Sequence, residues 1–263
     1  MCSSDLGVIL WNHMRPDQPA MQHFFNPEIQ KKINHIVYVS ESQQKAFIDH
    51  APEANKGHVI GNAISPAFEN LFSSVEDIVA IKECRGVYTS TPFRGLAVLS
   101  SIKEMEIDIF SSMKVYQSDD SVFDKMYENL KANDCLKLNG SVSQTVLAEK
   151  LRSIAFLVYP SIFAECHSIA LLEAMAAGLK VITTDKASPP TEFIDSMPSG
   201  GSVDDYAKML RKNIYFFRSR PEEWAAERWK QVQRINAEFT WKKRAEEWEK
   251  HLLFLAGNLN RDA

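Results

Sequence analysis

Ala155-Phe156-Leu157-Val158-Tyr159-Pro160-Ser161-Ile162-Phe163-Ala164-Glu165-Cys166-His167-Ser168-Ile169-Ala170-Leu171-Leu172-Glu173-Ala174-Met175-Ala176-Ala177-Gly178-Leu179-Lys180-Val181-Ile182-Thr183 is the stretch whose reading decides the fold. Its first five residues are an unbroken apolar run, the pattern of a strand buried on both faces. Ser168 is a good N-cap, Gly178 a good C′ residue, and strong helix formers lie between them. Leu179 to Thr183 is a second buried-type strand. A strand, a capped helix and a strand, joined at a length too great for a hairpin, predict a parallel βαβ unit.

The same alternation extends outward. Gly86 to Ser90 reads as a strand, Gly95 to about Met105 as a helix, and Ile109 to Gln117 contains the next strand. Val122 to Lys131 is a helix, Cys135 to Leu138 a strand, and Ser143 caps a helix from Gln144 to about Ser153. The predicted fold class is α/β with a doubly wound parallel sheet. Upstream, Val8 to Trp11 and His35 to Val39 read as two short strands, with Ser40 or Ser42 capping a helix through about Asp49. Pro52 to Gly57 is a break. Downstream, Asp204 to Phe217, the segment opened by Pro221, and the segment from Phe239-Thr240-Trp241 onward carry apolar residues at helical spacing. The chain therefore divides into residues 1–58, 59–236 and 237–263, the last a C-terminal helix. The polar, unpatterned start up to Gly7 reads as the middle of a larger protein.

Composition narrows the function classes. The 263 residues are 45% hydrophobic and 24% charged, ordinary for a globular chain. A net charge of −4 with no Lys/Arg-rich run gives nothing to attract nucleic acid. No apolar stretch is long enough to span a bilayer, and no secretory signal is visible. Cys2, Cys84, Cys135 and Cys166 lack metal or disulfide spacing, so a cytoplasmic setting is expected. The aromatic-rich helical tail docks on a core by default; attachment to the inner face of a membrane is the rarer expectation.

In an open α/β sheet, ligands collect where strands end and helices begin. Backbone N–H groups at 168 to 170 and the helix dipole favour a phosphate there. Glu165 and Glu173 would repel that phosphate, so they need another task, and paired hydroxyls are the natural partners of carboxylates. A phosphate flanked by polyols on both sides is a nucleotide-sugar.

A Glu, seven residues, a second Glu, then Ala-Met-Ala-x-Gly resembles the signature of retaining glycosyltransferases of the GT-B fold, family-four type. The resemblance runs from about Val59 to the C-terminus and includes Arg94-Gly95, Gly140-Ser141-Val142, and Pro190-Thr191-Glu192 after Thr183-Thr184-Asp185. It implies a Rossmann-like donor domain beside a partial, acceptor-side N-terminal domain, with the last helix packing back toward that domain. It also implies that Glu173 binds the ribose and that Glu165 holds the donor sugar. Cys166, His167, Ser168 and Ile169 would meet sugar or diphosphate through their backbone. Arg94, with Gly95 and Thr91 beside it, would neutralise the diphosphate, and Gly140, Ser141 and Val142 would complete the donor site. Transfer would proceed with retention, without a metal or other cofactor, to a saccharide or lipid-linked acceptor. The sequence departs from the family at Cys166-His167-Ser168, where Gly-Phe-Gly is usual, and at Thr89-Ser90-Thr91, where a second cation is common. Rival readings are a nucleotide-sugar 2-epimerase of the same architecture and a non-catalytic nucleotide-binding module.

Outside that site, His13 reads as structural and Gly61-Asn62 as either a hinge turn or a contact. Asp119-Asp120 is expected to cap the following helix rather than bind metal.

Overall fold

The computed structural model describes residues 7–51, 57–187, 193–198 and 200–259; Pro190-Thr191-Glu192 lies outside the described residues. These residues form two compact units. Unit 1 gathers those up to Asn62, residues 165–167, and those from Lys242 onward; unit 2 gathers 63–164 and 168–241. The boundaries at 62/63 and 241/242 stand beside the sequence divisions at 58/59 and 236/237.

Unit 1 begins with β1 (Ile9–Asn12), the short α1 (Pro27–Gln30), β2 (His35–Tyr38), α2 (Glu41–His50) and β3 (Gly57–Val59). The strands form a parallel sheet in the order β1-β2-β3, with Leu10 opposite Ile36 and Val37 opposite His58. Ser40 caps α2 through Gln43 N–H. Gln43 is buried and ties the strand ends together: its Oε1 accepts from Val39 N–H at 2.7 Å, and its Nε2 donates to the carbonyls of Asn12 and Met14. The core is small, built on Met21, Phe24, Ile36, Tyr38 and Phe47.

Unit 2 opens with α3 (Val75–Ile81), β4 (Glu83–Thr89), β5 (Ile107–Phe110), α4 (Asp124–Lys131), β6 (Leu136–Leu138), α5 (Gln144–Ser153) and β7 (Ile154–Tyr159). It continues through α6 (Ile169–Ala176), β8 (Lys180–Thr184), β9 (Ile194–Met197), α7 (Val203–Ser219) and α8 (Pro221–Glu238). The six strands are all parallel, in the order β6-β5-β4-β7-β8-β9. Counted within the unit that is 3-2-1-4-5-6, the doubly wound order whose switch point lies between β4 and β7. Every residue of β7 is buried, as its unbroken apolar run predicts. The last helix, α9 (Trp241–Leu259), belongs to unit 1 from Lys242 on, and no helix among the described residues is long and apolar enough to cross a membrane.

Three local readings need correction. The helix expected from Gly95 to about Met105 is two 3-10 turns, Pro92–Arg94 and Leu96–Ser101. Gly95 sits between them at φ 101°, and a Cβ there would run into the carbonyl of Pro160, so the chain turns where the pattern suggested continuity. Asp120 does not cap a helix with its side chain: its carboxylate accepts from Ser112 Oγ, Met113 N–H and Tyr127 Oη, while Asp119 caps Ser121 N–H. β9 escaped the sequence reading because Ile194-Asp195-Ser196-Met197 carries neither a long apolar run nor strict alternation.

Candidate functional site

The helix that follows β7 is terminated as its sequence dictates. Gly178 takes the left-handed conformation at φ 72°, its N–H bonds Met175 O, and Leu179 N–H bonds Ala174 O. The other end differs from expectation. Ser168 stands at the N-cap position, yet its hydroxyl makes no capping bond and is buried without a partner. The first turn of α6 therefore keeps backbone donors that its own cap does not take up.

At the carboxyl ends of β4, β5 and β6, and against α6, unit 2 has a cleft of about 220 Å³. Its lining includes Thr89, Ser90, Thr91 and Arg94 after β4, Ser112 and Tyr116 after β5, and Ser141, Val142 and Gln144 after β6. Ala170 and Glu173 come from α6. Five residues singled out in the sequence thus meet here: Thr91, Arg94, Ser141, Val142 and Glu173.

Glu173 is only 6% exposed. Burial pushes its carboxyl up to about 7, against hydrogen bonds from Ser65 N–H (3.3 Å) and the Gln144 side chain that pull it down. Desolvation wins because two neutral donors do not replace a hydration shell. Arg94 ends its 3-10 turn and is laid over the ring of Phe163, 4.9 Å from the centroid, with Nη2 donating to Tyr116 Oη at 3.1 Å. The Thr91 hydroxyl is buried in the cleft lining without a hydrogen-bond partner. A guanidinium, unsatisfied hydroxyl capacity and an uncapped helix start form an anion-binding set, and Glu173 is an acceptor for hydroxyl groups.

The remaining residues lie elsewhere. Gly95 makes the turn behind Arg94. Gly140 lines a neighbouring cavity of about 510 Å³ with Ser111, Asp120 and Tyr127. Ser168 and Ile169 begin α6 next to Ala170. Glu165, Cys166 and His167 belong to unit 1, where Ser40 Oγ donates to Cys166 O at 2.6 Å and Asn62 holds His167. Glu165 is buried. Among the described residues, Cys84, Cys135 and Cys166 form no disulfide with one another. Sequence reasoning missed Gln144 and Tyr116. Gln144 was legible as the first helical residue after Ser141-Val142-Ser143, whereas nothing local marks Tyr116 as the partner of Arg94. Among the described residues, no three His, Cys, Asp or Glu side chains gather as a metal site would require.

The doubly wound sheet and its parallel strand order are those of a GT-B-type fold. Residues 102–231, just under half of the chain, match the model of the family described as glycosyl transferases group 1. Solved structures agree in fold. Anabaena HepE in complex with UDP and glucose superposes with a TM-score of 0.69 at 13% identity, covering 94% of this chain and 71% of that one. Sucrose-phosphate synthase from Thermosynechococcus elongatus gives 0.70 at 17% identity, covering 94% and 68%. The UDP-forming α,α-trehalose-phosphate synthase from Burkholderia vietnamiensis gives 0.68 at 10%, covering 97% and 68%. No curated protein matches the sequence significantly.

Proposed function

We propose that the unit 2 cleft binds the nucleoside diphosphate portion of a sugar donor, and that the protein transfers that sugar with retention to a saccharide or lipid-linked acceptor. The observation that carries the reading is the pairing of a buried acceptor, Glu173, with Arg94 in one cleft at the switch point of the sheet. Glu173 accepts from the ribose hydroxyls. Arg94, the Thr91 hydroxyl and the start of α6 at Ser168 and Ile169 meet the diphosphate. Gly140, Ser141 and Val142 take the base side, and Gly95 holds the turn that presents Arg94. By resemblance, Glu165, with the backbone of Cys166 and His167, handles the sugar.

The bond between the anomeric carbon and the phosphate oxygen breaks, the acceptor hydroxyl bonds to that carbon on the face the phosphate leaves, and its proton passes to the departing phosphate oxygen. Charge grows on the departing diphosphate, where Arg94 and the helix start stabilise it. Part of the burden often assigned to a metal falls on those groups, and the reaction is proposed to need none. That HepE was solved with UDP and with UDP-glucose makes a uridine donor the first probe to try. Peripheral membrane association would rest on the exposed Leu252, Leu253 and Phe254 of α9.

Calorimetry with UDP, UDP-glucose, GDP-mannose and ADP-glucose tests the reading. At least one donor should bind, and Glu173→Ala should weaken both the bare nucleoside diphosphate and the donor by about tenfold or more, as loss of hydrogen bonds to a charged acceptor implies. Unchanged affinity in Glu173→Ala would remove the ribose assignment. Product analysis separates the classes: transferred or hydrolysed sugar supports transfer, an isomerised sugar the epimerase, and binding alone a non-catalytic module.

A further inference from the structure

Positions just past the carboxyl ends of the unit 1 strands converge on residues 165–167. Ser40, after β2, holds the carbonyl of Cys166. Asn62, after β3, grips His167 twice: its backbone N–H donates to the ring Nδ1 at 3.2 Å, and its side-chain Nδ2 donates to the main-chain carbonyl at 2.8 Å. Asn62 is itself only 6% exposed. At the neighbouring Gly61, a Cβ would lie 3.3 Å from His167 Cε1 and 3.4 Å from Arg244 Nη1, so the close seat of the imidazole depends on a minimal residue there.

We propose that Asn62 is a positioning residue for the donor sugar: by fixing both the ring and the carbonyl of His167, it sets the backbone course of Glu165–His167 and with it the aim of the Glu165 carboxylate. The inference rests on the nucleotide-sugar reading and assigns to Asn62 the sugar end of the donor only. A single backbone bond would leave the loop free to rock. A grip on one residue through two groups on different sides of its Cα removes that freedom, and orientation of a carboxylate tolerates little of it. The Nδ1 bond also requires a ring unprotonated at that nitrogen. Burial, the nearby Arg244 guanidinium and His13 all favour that state, holding the His167 pKa down to about 4. Arg244, on α9, is in turn paired with Glu247 at 2.8 Å.

The test compares bare UDP with UDP-glucose, or the corresponding pair for whichever donor in the panel above binds. In Asn62→Ala the affinity for the bare nucleotide should stay within twofold, while the extra affinity contributed by the sugar and the rate of donor hydrolysis fall tenfold or more. His167→Phe should show the same loss. His167→Asn, whose amide oxygen occupies the place of Nδ1, should recover at least a third of the wild-type sugar increment. Equal loss of both ligands in Asn62→Ala would mark a purely structural residue and overturn the proposal. So would an unchanged sugar increment, or a His167→Asn protein no better than His167→Phe. Wild-type protein that binds none of the nucleotides would instead overturn the underlying donor reading.

Discussion

Units 1 and 2 are built by the same rule, parallel strands joined through helices, but they bury very different amounts of apolar surface. The six-stranded sheet is enclosed by a continuous core in which β7, β8 and most of α6 are wholly buried. The three-stranded sheet rests on a smaller apolar cluster, built on Met21, Phe24, Ile36, Tyr38 and Phe47, and on polar braces such as Gln43. Parallel sheets are stable when both faces are covered. The difference teaches that the cleft stands on the rigid part of the molecule, whereas the Glu165–His167 segment is held by the less deeply cored part, through a few hydrogen bonds.

The sharpest way to break that comparison is to remove equivalent aromatic anchors. Phe156→Ala in β7 should cost about 3–5 kcal/mol in denaturant unfolding, the range for a deleted core phenylalanine. Phe47→Ala in α2 should strip hydrogen-exchange protection from β1–β3 while the amides of β7 and β8 keep theirs. Equal loss of protection in both sheets would show a single cooperative unit and end the distinction.

Acid provides the next largest contrast, because burial has acted oppositely on the two units. In unit 1, burial and neighbouring positive charge hold His167 at about 4, and burial with His58 and His35 does the same for His251, whose ring stacks on His58 with centroids 4.4 Å apart. A histidine with a lowered pKa contributes stability that is complete above its unfolded value and lost as pH falls from about 6.5 through 4. In unit 2, Glu173 is raised to about 7, so its burial penalty is relieved as pH falls from 7 toward its unfolded value. Acidification from pH 7 to 4 should therefore loosen unit 1 first, by roughly 3 kcal/mol for His167 alone. Hydrogen exchange at the two pH values measures this, and earlier loss in the six-stranded sheet would contradict it.

A smaller effect concerns ligand. Raising pH through 7 converts Glu173 to an acceptor-only carboxylate, which should strengthen binding of a nucleotide-sugar by up to about tenfold, the scale of one charged hydrogen bond. The donor's own phosphates do not titrate there, so the dependence should vanish in Glu173→Gln. A slope that survives the substitution would point to another group.

Much of unit 2 was legible because its strands are apolar runs and its helices are locally capped. Ser143 caps α5 and Gly178 closes α6 as read, since those signals act over three or four residues. Where contacts from distant segments decide, the reading failed. Gly95 is governed by the carbonyl of Pro160, and the Asp120 carboxylate by Ser112 and Met113. The partnership of Asn62 with His167 spans 105 positions and has no local signature.

Glu165 and Glu173 show where that line falls. The sequence alone determined that one lies in a loop and the other inside a helix, because cap, period and terminator are local properties of the chain. Only the tertiary structure decided that Glu173 shares a cleft with Arg94 and Thr91, and that residues 165–167 are gripped by Ser40 and Asn62. Desolvation and long-range hydrogen bonds arise from what the folded chain packs around each group, and spacing along the sequence does not encode that surrounding.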